Sequence, residues 1–302
     1  MESKLAAVIG FLGSFACGCD SPGGGGGAGP CSGDASRLSA VSAGSGHDCG
    51  VRVCDGLVQC WGADFDGQAT PPAGVAFSSV SAGVWHSCGV LASDGQLRCW
   101  GSAVGGRTTP PAGSFTSVSA GEDFTCAIRA GDGQLECWGD SSILAPPTPP
   151  AGVAFASVGV GRFHFCGIRS SDRRAECVGS GIAGQQTPPA EVVFESLGVG
   201  AAHNCGIVAE SRQIVCWGFD GNGRSSPPSG VVFESVAAGE DHTCGIRASD
   251  GQAQCWGAND RGQATPPAGV VFESLSCGTW HTCGIRASDG QAQCWGEDTG
   301  AP

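Results

Sequence analysis

The hydrophobic and polar positions of one segment, 233–257, predict three short β-strands joined by turns. Residues 233–239 are apolar or small on both faces of an extended chain, which is typical of a strand buried on both sides. From His242 onward the side chains alternate between two faces, with His242 and Ile246 on the same one. A third strand is predicted at 252–256, after a turn of the sequence Ala-Ser-Asp-Gly.

This segment is one of seven copies of a repeat. A glycine opens each copy, at Gly44, Gly83, Gly121, Gly161, Gly200, Gly239 and Gly278, so the period is 38 to 40 residues. A cysteine follows five residues after each glycine and another eleven residues later, and the second cysteine precedes Trp-Gly in six copies and Val178-Gly179 in the other. Short strands repeated at about 40 residues indicate a propeller or a solenoid.

The two cysteines of each copy are equally distant from the turn between them. In an antiparallel hairpin this places Cys244 directly opposite Cys255, at a Cα separation of about 4.5 to 5.5 Å that a disulfide can bridge. Trp256 then lies on the face away from the disulfide, diagonal to Gly245, whose small size leaves room for the ring. The predicted disulfides are Cys49–Cys60, Cys88–Cys99, Cys126–Cys137, Cys166–Cys177, Cys205–Cys216, Cys244–Cys255 and Cys283–Cys294.

Both faces of each hairpin therefore carry side chains that need packing partners, as in the blades of a propeller. We predict an all-β fold, a seven-bladed β-propeller with one hairpin disulfide per blade. The last copy ends near Gly296. Residues of about 37–44 are expected to lie beside the last hairpin and close the ring.

Composition narrows the class of protein. The net charge is −13 and Lys4 is the single lysine, so the chain lacks the cationic surface that phosphate contacts require, and nucleic acid is not an expected partner. Nineteen cysteines at regular spacing indicate an oxidising compartment. The protein is therefore expected to be exported.

The N-terminal segment agrees with export. The apolar run 5–16 has the length of a signal peptide, which assigns residues 1–19 to a signal, 20–36 to a glycine-rich tether and 37–302 to the propeller. Cys17 or Cys19 could be the lipidated residue of a bacterial lipoprotein. Ordinary secretion and a misassigned start codon are the alternatives, so the protein is expected to be lipid-anchored at a bacterial cell envelope or secreted.

The combination FxSVSAG, GxxHTCGIR, DGQxxCWG and GQxTPP resembles the regulator-of-chromosome-condensation repeat. Within that superfamily it looks most like secreted bacterial seven-bladed propellers of the beta-lactamase inhibitor protein II type. The resemblance covers about 260 residues and implies a propeller that serves as a protein-binding platform. It does not imply beta-lactamase as the target, and the paired cysteines depart from that inhibitor's pattern.

Six histidines share one position of the repeat, where the third copy has Phe124. A histidine beside two cysteines could suggest a metal site, but the third copy keeps its cysteines without the histidine, and the spacing is unusual for zinc. Disulfides with structural histidines are favoured, and no metal or cofactor is expected. Outside the pattern, Cys31 could pair with Cys277 as a staple between the ends, or with Cys54.

Partner-binding residues are sought where the copies differ. The two residues after each repeat glycine vary most, and they predict a rim with aromatic anchors among acidic side chains: Trp85, Glu122, Asp123, Arg162, Phe163, Glu240, Asp241 and Trp280. The alternative is drift in tolerant loops. A second variable segment after Trp-Gly, with Phe65, Ile143, Leu144 and Phe219, could extend the same surface or the opposite one.

No nucleophile elbow, phosphate loop or metalloprotease motif is present in the sequence, so no catalytic residues are assigned and the protein is not expected to be an enzyme. The first hypothesis is an exported, monomeric propeller that binds another protein through its aromatic and acidic rim. A secreted inhibitor of an extracellular hydrolase is the alternative. A lectin-like or enzymatic propeller is more distant.

Overall fold

Each repeat forms one three-stranded antiparallel sheet whose strands follow chain order. Turns rich in glycine separate the strands, as the sequence pattern predicts. The seven sheets, which we call blades 1 to 7, are β1 (Leu38–Ala43), β2 (His47–Arg52) and β3 (Val58–Gly62); β4 (Phe77–Ala82), β5 (His86–Leu91) and β6 (Leu97–Gly101); β7 (Phe115–Ala120), β8 (Phe124–Arg129) and β9 (Leu135–Gly139); β10 (Phe155–Val160), β11 (His164–Arg169) and β12 (Ala175–Gly179); β13 (Phe194–Val199), β14 (His203–Val208) and β15 (Ile214–Gly218); β16 (Phe233–Ala238), β17 (His242–Arg247) and β18 (Ala253–Gly257); β19 (Phe272–Cys277), β20 (His281–Arg286) and β21 (Ala292–Gly296).

This computed structural model describes residues 36–140, 146–181, 183–297 and 300. Its helical content within those ranges is two short 3-10 turns, Val104–Gly106 and Gly221–Gly223. No helix among the residues so described is long and apolar enough to cross a membrane. The predicted signal peptide, most of the tether, Cys17, Cys19, Cys31, Ile143 and Leu144 lie outside the described residues.

The strand register confirms the predicted hairpin disulfides. In blade 6, Cys244 faces Cys255 and Thr243 faces Trp256 across the ladder. The same opposition recurs in all seven blades, with S–S distances between 2.01 Å and 2.10 Å. The fold is thus all-β, with seven blades and one hairpin disulfide in each.

The hydrophobic core lies between adjacent blades. The disulfide face of blade 5, with Cys205 and Ile207, packs against Phe233 and Trp256 of blade 6. The structure explains the glycine at position 245 differently from the sequence-based prediction. A Cβ at this position would lie 2.5 Å from the ring of Phe233 in the innermost strand. The small residue therefore makes room for that phenylalanine rather than for the tryptophan.

The ring closes as the sequence predicted, with residues 37–44 beside the last blade. The Leu38 amide donates to the Gly290 carbonyl at 2.8 Å, just as the Phe77 amide donates to Gly56 at 2.7 Å between blades 1 and 2. The segment is the innermost strand of blade 1, so closure adds no strand to blade 7. Every junction between blades, including the last, uses the same kind of contact.

Candidate functional site

Both variable segments of the repeat lie on one face of the propeller. The turn after each repeat glycine joins the innermost and middle strands, and the segment after Trp-Gly leaves the outer strand at the same end. Their backbones bond to each other, as in the Ser102 amide to the Trp85 carbonyl and the Phe219 amide to the Ala202 carbonyl, both at 2.9 Å. We call this the top face, and the face with the turns between middle and outer strands the bottom face.

At the centre of the top face is an axial cavity of about 120 Å³. Its walls come from all seven blades, and the residues that follow the repeat glycines surround its mouth: Ser45, Val84, Glu122, Arg162, Ala201, Glu240 and Thr279. The glycines themselves have no room for a side chain, since a Cβ on Gly83 would lie 2.3 Å from the Gly121 carbonyl oxygen. The Thr279 amide bonds to the Gly44 carbonyl at 3.3 Å and completes the ring around this cavity.

Aromatic side chains stand around the axial cavity. Trp85 is 44% exposed and Phe163 is 36% exposed, whereas Trp280 is half-buried with the Arg261 guanidinium 5.9 Å from its ring centre. The following loops add Phe65, which is 91% exposed, and Phe219, which is 49% exposed. The second variable segment therefore extends the same surface, which the sequence left open.

The acidic residues of the predicted rim differ in their environments. Asp123 forms an ion pair with the buried Arg107, which comes from the loop of the preceding blade. Asp241 is paired in the same way with the buried Arg224. These two carboxylates fasten the loop of one blade to the turn of the next. Glu240, by contrast, has no ion-pair partner among the described residues.

Glu122 lies at the mouth of the axial cavity beside the half-exposed Arg162, whose Nε is 2.6 Å from its carboxylate. Burial raises the pKa of Glu122, and the carboxylates of Asp123 and Glu240 raise it further, against the opposing effect of Arg162. Arg162 also lies 5.3 Å from the ring centre of Phe163. The mouth is therefore a region of negative potential in which the arginine is already engaged.

The six histidines are structural links between blades. In blade 5, His203 Nε2 lies 2.7 Å from the Thr243 hydroxyl of blade 6, which itself donates to the Arg224 carbonyl. The hydroxyl therefore accepts from Nε2–H, which fixes a neutral tautomer. Burial, together with the smaller effects of nearby Arg224 and His242, lowers the pKa of His203 to about 3.

Two groups of His, Cys and Asp come close enough together to suggest a metal, namely His242 with Cys244 and Cys277, and Asp48 with Cys283 and Cys294. Three of these four cysteines are in hairpin disulfides, so they have no thiolate to offer. Disulfide geometry therefore accounts for these clusters.

One regularity was missed at the sequence level. The residue that follows the histidine position of the repeat bonds, in six copies, to the histidine of the preceding blade through a hydroxyl, amide or carboxylate. These residues are Asp48, Ser87, Thr125, Asn204, Thr243 and Thr282. At the junction of blades 3 and 4 both members change together, to Phe124 and Phe165, which share one hydrophobic cluster. The paired exceptions in adjacent copies were the available signal, because a buried polar group needs a partner while two phenylalanines need none.

The structure also gives the bonding state of two cysteines outside the repeat pattern, Cys277 and Cys54. Cys277 is a free thiol, so the predicted staple to Cys31 is wrong. Its side chain points into the fold, where Sγ lies 3.4 Å from the Ala237 carbonyl oxygen, and burial raises its pKa to about 12. Cys54 is in a disulfide whose partner lies outside the described residues.

Similarity to known proteins agrees with the geometry. Residues 77–104 and 233–263 match the regulator of chromosome condensation (RCC1) repeat, whereas no curated protein matches the chain. The entire ectodomain of the receptor kinase CR4 from Physcomitrella patens is 25% identical, with a TM-score of 0.76 over 86% of this chain and 73% of that chain. The CRINKLY WD40 ectodomain of ACR4 from Arabidopsis thaliana is 25% identical, with a TM-score of 0.75 over 88% and 98%.

Prp20p from Saccharomyces cerevisiae is similar at 16% identity, with a TM-score of 0.53 over 85% of this chain and 71% of that chain, and its structure was described with its binding to Gsp1p and histones. The two matched segments are blades 2 and 6, and the other five blades share their strand register, disulfide and closing contacts. The chain is therefore an RCC1-like repeat propeller.

Proposed function

We propose that this propeller is a non-enzymatic, exported protein that binds another protein through its top face. The observation that carries the proposal is the placement of exposed aromatic side chains. All four that are strongly exposed among the described residues, Phe65, Trp85, Phe163 and Phe219, lie on the top face, whereas the exposed large hydrophobics of the bottom face are valines. Aromatic side chains dominate binding energy at protein interfaces.

The surrounding residues support the same surface. Glu122, Arg162 and Glu240 are at the mouth of the axial cavity. Asp241 holds, through Arg224, the loop that carries the exposed Phe219, and Asp123 holds the equivalent loop of blade 2 through Arg107. Prp20p, of the same fold, binds proteins, which supports use of this architecture for recognition. A rigid scaffold with variable loops on one face is a common design for binding sites.

Affinity capture tests the proposal. Three proteins are immobilised side by side and exposed to exported proteins. They are the wild type, a double variant that combines Trp85→Ala and Trp280→Ala, and a bottom-face control with Val232→Ala. We expect a stoichiometric partner that the wild type and the control retain and the double variant loses. If all three proteins retain the partner equally, the choice of the top face is contradicted. If the captured partner is a hydrolase, measuring its activity in the complex distinguishes inhibition from simple docking.

Export is part of the proposal. Seven disulfides require an oxidising compartment, and the two receptor-kinase relatives are ectodomains. Residues 1–19 would direct export and 20–36 would tether the propeller at 37–302. Labelling with palmitate in a bacterial host tests the anchor, since Cys17→Ser or Cys19→Ser should abolish it. Unlabelled protein in the medium would indicate ordinary secretion instead.

A further inference from the structure

The charges of the top face are unevenly balanced. Among the described residues of this face, every arginine already has an acidic partner: Arg107 with Asp123 and Asp140, Arg162 with Glu122, Arg224 with Asp241, and Arg261 with Glu297 at 4.0 Å. Five carboxylates of the same face have no ion pair among the residues that the structure describes: Asp64, Asp66, Asp220, Glu240 and Asp260. Within the described part of the chain, the top face thus has a surplus of negative charge and no uncommitted cation.

The bottom face differs in this respect. Five of its seven turns pair an arginine with an aspartate three residues later, as Arg247 does with Asp250 at 2.6 Å. The charge of those turns is compensated locally. Surplus negative charge therefore coincides with the exposed aromatic side chains on the top face, although the two properties come from different residues.

Glu240 occupies the central position in this distribution. It lines the axial cavity together with Cys277, with the ion pair of Glu122 and Arg162, and with glycine, alanine, valine and small polar residues. The volume of about 120 Å³ suits a guanidinium or ammonium group with its adjoining methylenes. Trp85 directly follows Val84 of the cavity mouth, and Phe163 directly follows Arg162. Consecutive Cα atoms are about 3.8 Å apart, so aromatic contacts begin one residue outward from the axis.

We propose that the partner is a basic protein whose protruding loop places an arginine or lysine side chain in the axial cavity against Glu240, with apolar neighbours on Trp85 and Phe163. This inference rests on the proposed function and names the chemistry of its partner. A cation at the axis relieves repulsion between the carboxylates there, and negative potential around it steers basic surfaces toward the cavity. An acidic loop would meet the opposite field and would have no free arginine to bind.

The test uses random loops closed by a disulfide, displayed on phage and selected on the complete folded propeller. We expect the recovered loops to carry one arginine or lysine flanked by aromatic or aliphatic residues. Affinity of the synthesised loops should fall about tenfold with Glu240→Gln and decline with rising salt. The matched control Glu273→Gln removes the same charge from an exposed strand position near the bottom face, and it should change affinity by less than about twofold.

Two outcomes would overturn parts of this scheme separately. In the first outcome, Trp85→Ala weakens binding of the recovered loops, but these loops are neutral or acidic, or they bind Glu240→Gln as well as they bind the wild type. This result would refute the cationic tip and leave top-face binding intact. Loops that ignore Trp85→Ala would refute top-face binding itself. Replacing the single arginine or lysine of a recovered loop by citrulline or norleucine should remove its dependence on Glu240, and a retained dependence would also refute the proposal.

Discussion

Acidification should destabilise this protein by protonating histidines that the fold keeps neutral. Burial lowers the pKa of His47 and His242 from 6.5 to about 4, and that of His86 and His203 to about 3. Between pH 6.5 and about 4 these side chains take up protons in the unfolded chain but not in the folded one. Stability is therefore complete above pH 6.5 and is lost as the pH falls through this window.

The magnitude follows from one histidine. For His242, a pKa lowered from 6.5 to about 4 corresponds to about 3 kcal/mol of unfolding free energy, at about 1.4 kcal/mol per pKa unit. The geometry gives the reason. Nε2 lies 2.7 Å from the Thr282 hydroxyl, and Nδ1 is buried without an acceptor, so a proton added there would have no partner.

Guanidinium unfolding at a series of pH values, followed by tryptophan fluorescence without reductant, measures this effect. The slope of the unfolding free energy near pH 5 should correspond to the uptake of about four protons. His242→Gln keeps an N–H for Thr282 but cannot be protonated, so its slope should be lower by about one proton. Equal slopes for the two proteins, or a free energy that is constant between about pH 7 and about pH 5, would refute the reasoning.

Three further perturbations test the fold. Replacing both cysteines of the blade 5 disulfide with alanine should lower the unfolding free energy by about 2.8 kcal/mol, the chain-entropy value for a separation of 11 residues, and an unchanged denaturation midpoint would contradict it. Phe124→His should cost about 1 to 3 kcal/mol because its N–H meets no hydroxyl, and adding Phe165→Thr should recover part of that loss in a double-mutant cycle. Gly83→Ala should lower the melting temperature strongly because its Cβ meets a carbonyl oxygen at 2.3 Å, whereas Gly131→Ala, with open space around it, should be nearly neutral.

The sequence predicted the blades because their geometry is local. An antiparallel hairpin pairs residues equidistant from its turn, so the positions of Cys244 and Cys255 alone determine that they face each other. The small residues of the innermost strand and the repeat period then predicted the ring. The role of Gly245 was assigned wrongly because Phe233 belongs to the innermost strand of the blade, which lies outside the cysteine hairpin and whose register that hairpin does not determine.

Contacts between blades could not be predicted in the same way. Asp123 and Asp241 are paired with Arg107 and Arg224 of the preceding loops, and these pairings depend on how far each loop reaches across the junction. No spacing rule within a repeat gives that distance. The free thiol of Cys277 is another such case, since its Sγ lies against the preceding blade, 3.4 Å from the Ala237 carbonyl oxygen.

These contacts change the meaning of variability between copies. The first residue after each repeat glycine faces the axial cavity, whereas the second lies over a junction, where a loop arginine can hold it, as Arg224 holds Asp241. A variable residue held in this way is tied to a matching change in the preceding loop, so its variation reflects pairing within the fold. Trp85 and Glu240 have no such ion pair, and their identity is not explained by the scaffold. Recognition is therefore best sought at residues that both vary and lack an internal partner, which is a smaller set than variability alone suggests.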